Sequence, residues 1–141
     1  LAMPEATWEN ERCYAMRLLG KAYEEKGWDG LVWYRRACAE APNTREPWCE
    51  LATSCYRKHR WEECFAAASN ALAIKDKQYV YTMNPEVWGA QPHDLKAIAA
   101  YHLGFKDIAA EHGQIAVDLE PHNQRLIDNL KYYKNIENGT D

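Results

Sequence analysis

Residues 46–76, EPWCELATSCYRKHRWEECFAAASNALAIKD, decide the fold of this chain. Trp48, Leu51, Ala52 and Cys55 recur at intervals of three and four, the spacing that puts side chains on one face of an α-helix. After a break at His59 and Arg60, the residues Trp61, Cys64, Phe65, Ala68, Ala71 and Leu72 form a second such stripe. Two amphipathic helices joined by a tight turn follow from this pattern. Ala52, Cys64, Ala68 and Ala71 are short enough to let the two helices approach closely and interlock, and a large residue at any of them would wedge the pair apart.

A single helical hairpin cannot bury its own apolar face, so the pattern must recur for the chain to fold. Tyr34 precedes Ala68 by 34 residues, as Ala37 precedes Ala71 and Pro42 precedes Asp76. Downstream, Leu103, Gly104, Ala109, Ala116 and Pro121 replay the spacing, and upstream Leu19, Gly20, Tyr23 and Gly27 match the first helix of such a unit. The period is that of tetratricopeptide repeats, and three hairpins are about the number a solenoid needs for stability. The expected architecture is all-α: a right-handed superhelical solenoid of three hairpins closed by a C-terminal capping helix.

In chain order, residues 1–6 read as a leader, with Thr7 as a candidate N-cap. Hairpins are expected over about 7–42, 44–76 and 92–121, with Thr44 as an N-cap for the third helix and Pro47 in its first turn. The first turn is predicted to be tighter than the second or differently angled, because Tyr23 to Gly30 is two residues shorter than Cys55 to Cys64. Residues 77–91 are an insertion, since Ala71 and Ala116 are 45 residues apart where the period predicts 34. Its aromatic residues Tyr79, Tyr81 and Trp88 are read as plugging the seam between hairpins, with a ligand-facing wall as the alternative. A capping helix over about 123–136 carries Leu126, Ile127, Leu130 and Tyr133 on one face, and residues 137–141 form a tail. The chain opens on Leu1 and reads as a piece of a longer protein.

A length of 141 residues bounds the chain to one domain, with no room for an ordinary catalytic domain beside the repeats. The net charge of −4, with both signs scattered, points away from nucleic acid and anionic membranes. Apolar runs are too short for a membrane span, and no signal peptide opens the sequence. Cys13, Cys38, Cys49, Cys55 and Cys64 are odd in number and lack a CxxC spacing, which argues against a zinc knuckle or a disulfide framework. That usage fits a reducing compartment, hence the cytoplasm.

No catalytic, cofactor-binding or metal-binding constellation is expected. HExxH, GxSxG, Walker and GxGxxG motifs are absent. Glu24-Glu25 and Glu62-Glu63 are adjacent, so each pair diverges around its helix and suits solvent better than acid–base work. What remains is a concave surface lined by the first helix of each hairpin. Its candidate contacts are Arg17, Lys21 and Glu24, then Glu50, Thr53 and Arg57, then Asp94, Ile98 and Tyr101. The chaperone-binding subclass of this repeat grips a peptide carboxylate with Lys, Asn and Arg at set places. Arg17 and Lys21 offer cations here, but Cys49, Glu50 and Thr53 supply no matching amide or base.

REPW (45–48), NPEVWGAQPHDLKAIAAYHLG (84–104), EHGQIAVDLEP (111–121) and RLIDNLKYY (125–133) are narrower signals. Together the stretch from Ala41 to Tyr133 resembles the tetratricopeptide region that follows the catalytic domain in many bacterial and phage family 2 glycosyltransferases. The resemblance implies a non-catalytic accessory module whose partner is a protein, a peptide or a covalently linked glycosyltransferase domain. Catalysis in that family uses a nucleotide-sugar-binding domain with a DxD motif, and no DxD occurs here. The alternative is a free-standing peptide-binding scaffold unrelated to glycosyl transfer.

Overall fold

A computed structural model describes residues 5–77 and 84–135, with side chains described from residue 8 onward. Seven α-helices follow one another: α1 (Glu5–Glu25), α2 (Leu31–Glu40), α3 (Arg45–Arg57), α4 (Trp61–Ala73), α5 (Gln91–His102), α6 (Lys106–Leu119) and α7 (Gln124–Tyr133). A 3₁₀ turn, Pro85–Trp88, lies between α4 and α5. Each helix packs on its sequence neighbour, and α3 also touches α1 and α5, so the odd-numbered helices form one layer of a helical solenoid.

The small residues of the central hairpin do what their size allows. Ala52, Cys55, Cys64 and Ala68 are fully buried, with Leu31, Tyr34, Leu51 and Leu95 closing the central core around them, and Ala71 is fully buried in a second cluster with Cys49 and Val87. All five cysteines are buried thiols. Burial pushes Cys13 up to about 11 and Cys49, Cys55 and Cys64 up to about 12, so they stay protonated and pack as small hydrophobes.

The three hairpin turns share one geometry. Trp28, Arg60 and Phe105 each donate a backbone N–H to a carbonyl five residues back, on Tyr23, Cys55 and Ala100, at 2.9, 2.8 and 2.8 Å. The residue before each donor is left-handed: Gly27 (φ 79°), His59 (φ 57°) and Gly104 (φ 87°). These are Schellman endings, which satisfy the carbonyls a helix leaves open at its C-terminus. The first turn is therefore not tighter than the others. The two missing residues come out of the first turn of α2, which starts only at Leu31, whereas α4 and α6 start directly after Arg60 and Phe105. Asp29 accepts the Leu31 N–H at 2.9 Å, and Gly30 takes the place that Cys64 and Ala109 hold in the other units.

Some expected boundaries also move. α1 is helical from Glu5, so Thr7 lies inside the helix and not at its N-cap position. Thr44 stands at the N-cap position of α3 in extended conformation, without a capping hydrogen bond from its side chain. Tyr79, Tyr81 and the tail after residue 135 fall outside the described residues.

Two histidines that the sequence leaves unrelated meet between α5 and α6. His93 and His112 face each other Nδ1 to Nδ1 at 3.0 Å, with rings stacked at 5.2 Å. Burial and the His112 ring, with Arg45, Lys75 and Lys96 nearby, hold His93 down at about 4; burial lowers His112 too, opposed by Glu111. Each neutral imidazole is thus favoured by folding. Because the unfolded His93 titrates near 6.5, its contribution is complete above that pH and is lost as pH falls toward 4. Urea midpoints measured from pH 7 to 4.5 should fall more steeply for the wild type than for His93→Gln; parallel curves would contradict the pairing.

Candidate functional site: the concave groove

Two contiguous cavities run along the inner face formed by α1, α3 and α5. The first, about 700 Å³, is lined among others by Lys21, Glu24, Glu50, Thr53, Arg57 and Asn84. The second, about 650 Å³, is lined by Thr53, Tyr56, Asp94, Ile98, Arg125 and Leu126, with Pro85, Glu86 and Gly89 of the insertion forming one wall. Thr53 and Gln91 belong to both and mark the junction.

Carboxylates form the floor of this groove and cations its rim. Glu50 takes Arg17 from below at 2.5 Å and Lys21 from above at 2.9 Å. Glu24 accepts hydrogen bonds from Ser54 at 2.5 Å, Lys58 at 2.6 Å, the Tyr34 hydroxyl at 3.1 Å and Arg57 at 3.3 Å. Burial by itself would raise the Glu24 carboxyl, but the hydrogen bonds from Lys58 and Ser54 outweigh it and hold the group below its ordinary range. In the second cavity Asp94 takes Arg125 at 2.7 Å. The Glu24 and Glu50 side chains are 17% and 19% exposed, against 53% for Lys21 and 60% for Arg57, so a ligand meets the cations first.

Of the residues read from the sequence, Lys21, Glu24, Glu50, Thr53, Arg57, Asp94 and Ile98 line the two cavities. Arg17 does not. It lies beneath the floor, 8% exposed, because a guanidinium on that face of α1 is drawn under Glu50. Tyr101 also lines neither cavity; its ring packs on Tyr133 and His102 at 5.6 and 5.7 Å at the end of α5. Trp88 turns away from the groove, its ring under the Arg45 guanidinium at 4.0 Å and against Cys49 and Val87.

Sequence reasoning missed Asn84 and Gln91, because nothing in a helical period says where an insertion will fold. Their placement comes from the REPW motif. Buried Glu46 accepts the Asn84 N–H at 3.0 Å, and buried Arg45 donates to the carbonyls of Ile74 and Val87 at 3.0 and 2.9 Å. The insertion is thereby tied to the start of α3. Gln91 then sits at the junction with its Oε1 buried and, among the described residues, without a hydrogen-bond partner. Lys58, Tyr56 and Arg125 were also unmarked, since each enters the groove from the edge of its helix.

No family model matches this chain, and no curated protein matches its sequence. Solved structures do. The first TPR domain of Spaghetti (RPAP3), bound to the HSP90 peptide SRMEEVD, superposes with a TM-score of 0.74 at 13% identity, covering 89% of this chain and 92% of that one. The second TPR domain of human RPAP3, in complex with the HSP70 peptide SGPTIEEVD, gives 0.73 at 16% identity over 89% and 98%. The Arabidopsis OM64 TPR domain gives 0.71 at 19% identity over 90% and 98%. Three stacked hairpins with Schellman turns and an inner groove, matched by these domains over 89–90% of the chain, give it the tetratricopeptide-repeat fold.

Proposed function

We propose that this chain is a non-catalytic module that binds an extended peptide in the groove formed by α1, α3 and α5. The observation that carries the reading is the pair of joined cavities, which meet at Thr53 and Gln91 and together run the length of the inner face. Lys21 and Arg57 on the rim favour a carboxylate in the first cavity, and Tyr56, Ile98 and Leu126 favour an apolar side chain in the second. The two RPAP3 domains hold acidic peptides, which supports a peptide as the occupant. Asp94 on the α5 side of the groove argues for a ligand that is not acidic throughout.

The test is selection from a displayed random-peptide library on the immobilised chain, followed by titration of the enriched peptides. Enriched sequences are expected to pair an acidic residue with a nearby apolar one, and Lys21→Glu with Arg57→Glu should weaken them about tenfold or more. Arg17 is left intact, because reversing a charge buried against Glu50 would damage the fold itself. A folded chain that enriches nothing would overturn the reading.

Association with a family 2 glycosyltransferase is a second proposal, favoured by the REPW and NPEVWGAQPHDL segments. Those segments also hold the insertion in place through Arg45 and Glu46, a role any protein with this insertion would need. An upstream DxD-bearing α/β segment in the same gene would support the association, and an unrelated gene setting would remove it.

A further inference from the structure

α1 buries only one side. Cys13 packs against Ala37 and Ala41, Arg17 reaches Glu50, Gly20 meets Gly30, and Glu24 accepts from Ser54. Those four residues mark the face of α1 turned to α2 and α3. Half a helical turn away, Trp8, Leu18 and Leu19 are 43%, 46% and 40% exposed, and Ala15 and Ala22 between them are exposed as well. In the later units the corresponding side of the odd-numbered helix is covered, α3 by α2 and α5 by α4. Among the described residues nothing covers it on α1. Of the eleven exposed large hydrophobic side chains among those residues, six (Trp8, Tyr14, Leu18, Leu19, Trp28 and Val32) lie in the first hairpin, so the apolar surface concentrates at this end.

The ends of this stripe carry opposite charges, Glu11 toward the N-terminus and Lys26 just past the C-terminus. That polarity selects the occupant. A second copy laid parallel would set Glu11 against Glu11 and Lys26 against Lys26. Laid antiparallel about a two-fold axis between Leu18 and Leu19, it sets Leu18 on Leu19, Ala15 on Ala22 and Glu11 on Lys26, each pair occurring twice. The small residues at 15 and 22 allow close approach where the helices cross, and Trp8 falls beside the other copy's Gly27–Trp28 turn. We infer that this chain forms a two-fold dimer through the outer face of α1, with the two copies of that helix antiparallel. Gly27 and Trp28 also line the first cavity, so the interface reaches the end of the groove while Glu50, Thr53 and the second cavity lie clear of it.

Sedimentation velocity over a concentration series tests this, with far-UV circular dichroism as the check on folding. The wild type should pass from monomer to dimer as concentration rises, and Leu18→Glu should remain monomeric with unchanged helicity. Glu11→Lys alone and Lys26→Glu alone should each weaken the dimer about threefold, the effect of an exposed ion pair counted twice. The double variant Glu11→Lys with Lys26→Glu restores opposite charges across the axis and should recover wild-type affinity. A monomeric wild type at every concentration, a dimer indifferent to Leu18→Glu, or a double variant weaker than either single one would each overturn the proposal.

Discussion

Gly30→Ala is expected to destabilise the chain by about 3 kcal/mol, because the added methyl has nowhere to go. A Cβ at Gly30 would stand 2.5 Å from the Gly20 carbonyl oxygen and 2.8 Å from Glu24 Cγ. The first of these is backbone and can yield only if α1 and α2 separate. The second belongs to the carboxylate at the groove floor, so the strain reaches the groove too. At about 4 °C per kcal/mol for a chain of this size, the melting temperature should drop by about 12 °C. Gly27→Ala is the matched control. A Cβ there meets open space, and its penalty is only the left-handed backbone at φ 79°, about 1 kcal/mol. Thermal melts of the two variants decide between close helix packing and turn geometry as the reason for glycine in this hairpin. Equal melting temperatures would rule out the crossing as the dominant constraint.

Arg45→Ala should cost a similar amount by a different route. The side chain is 7% exposed and bridges the carbonyls of Ile74 and Val87 while lying 4.0 Å over the Trp88 ring. Its removal strands two carbonyls and exposes one indole face, together about 3 kcal/mol. The damage should be local as well as global. Amide exchange at Val87 and through the first turn of α5 should speed up more than exchange in α2, since Arg45 fastens the insertion and not the first hairpin. Because Pro85, Glu86 and Gly89 wall the second cavity, peptide affinity should fall with it. Arg45→Lys should rescue less than half of the loss, since an ammonium cannot span two carbonyls and stack on a ring at once. Wild-type exchange rates in Arg45→Ala would show that the insertion is held by its own packing.

The three hairpins and their small-residue interfaces were legible in the sequence, because the rotation of an α-helix is a property of the backbone and repeats wherever the chain is helical. Ala52, Cys64, Ala68 and Ala71 could be assigned to buried faces from spacing alone, and all four are buried. The same arithmetic listed Lys21, Glu24, Glu50, Thr53 and Arg57 together on one surface, where a single cavity now holds them. The structure places Arg17 and Tyr101 outside both cavities for one reason. Each shares its helix with groove residues but is drawn elsewhere by a partner distant in sequence, Glu50 for Arg17 and Tyr133 for Tyr101, while Trp88 packs under Arg45 as the seam-filling reading expects.

Helical period alone specifies the class of fold, the register of each stripe and the small residues that let the helices meet. All of these depend on residues a turn or a period apart. Packing between distant segments set the lost helical turn of the first hairpin with its Schellman ending kept, and brought His93 to face His112. It also decided that Asn84 and Gln91 complete the groove and that carboxylates lie beneath its cations. Those outcomes turn on contacts between residues tens of positions apart. Their free energies depend on burial and on which partners share a carboxylate or carbonyl, quantities that exist only once the chain is folded.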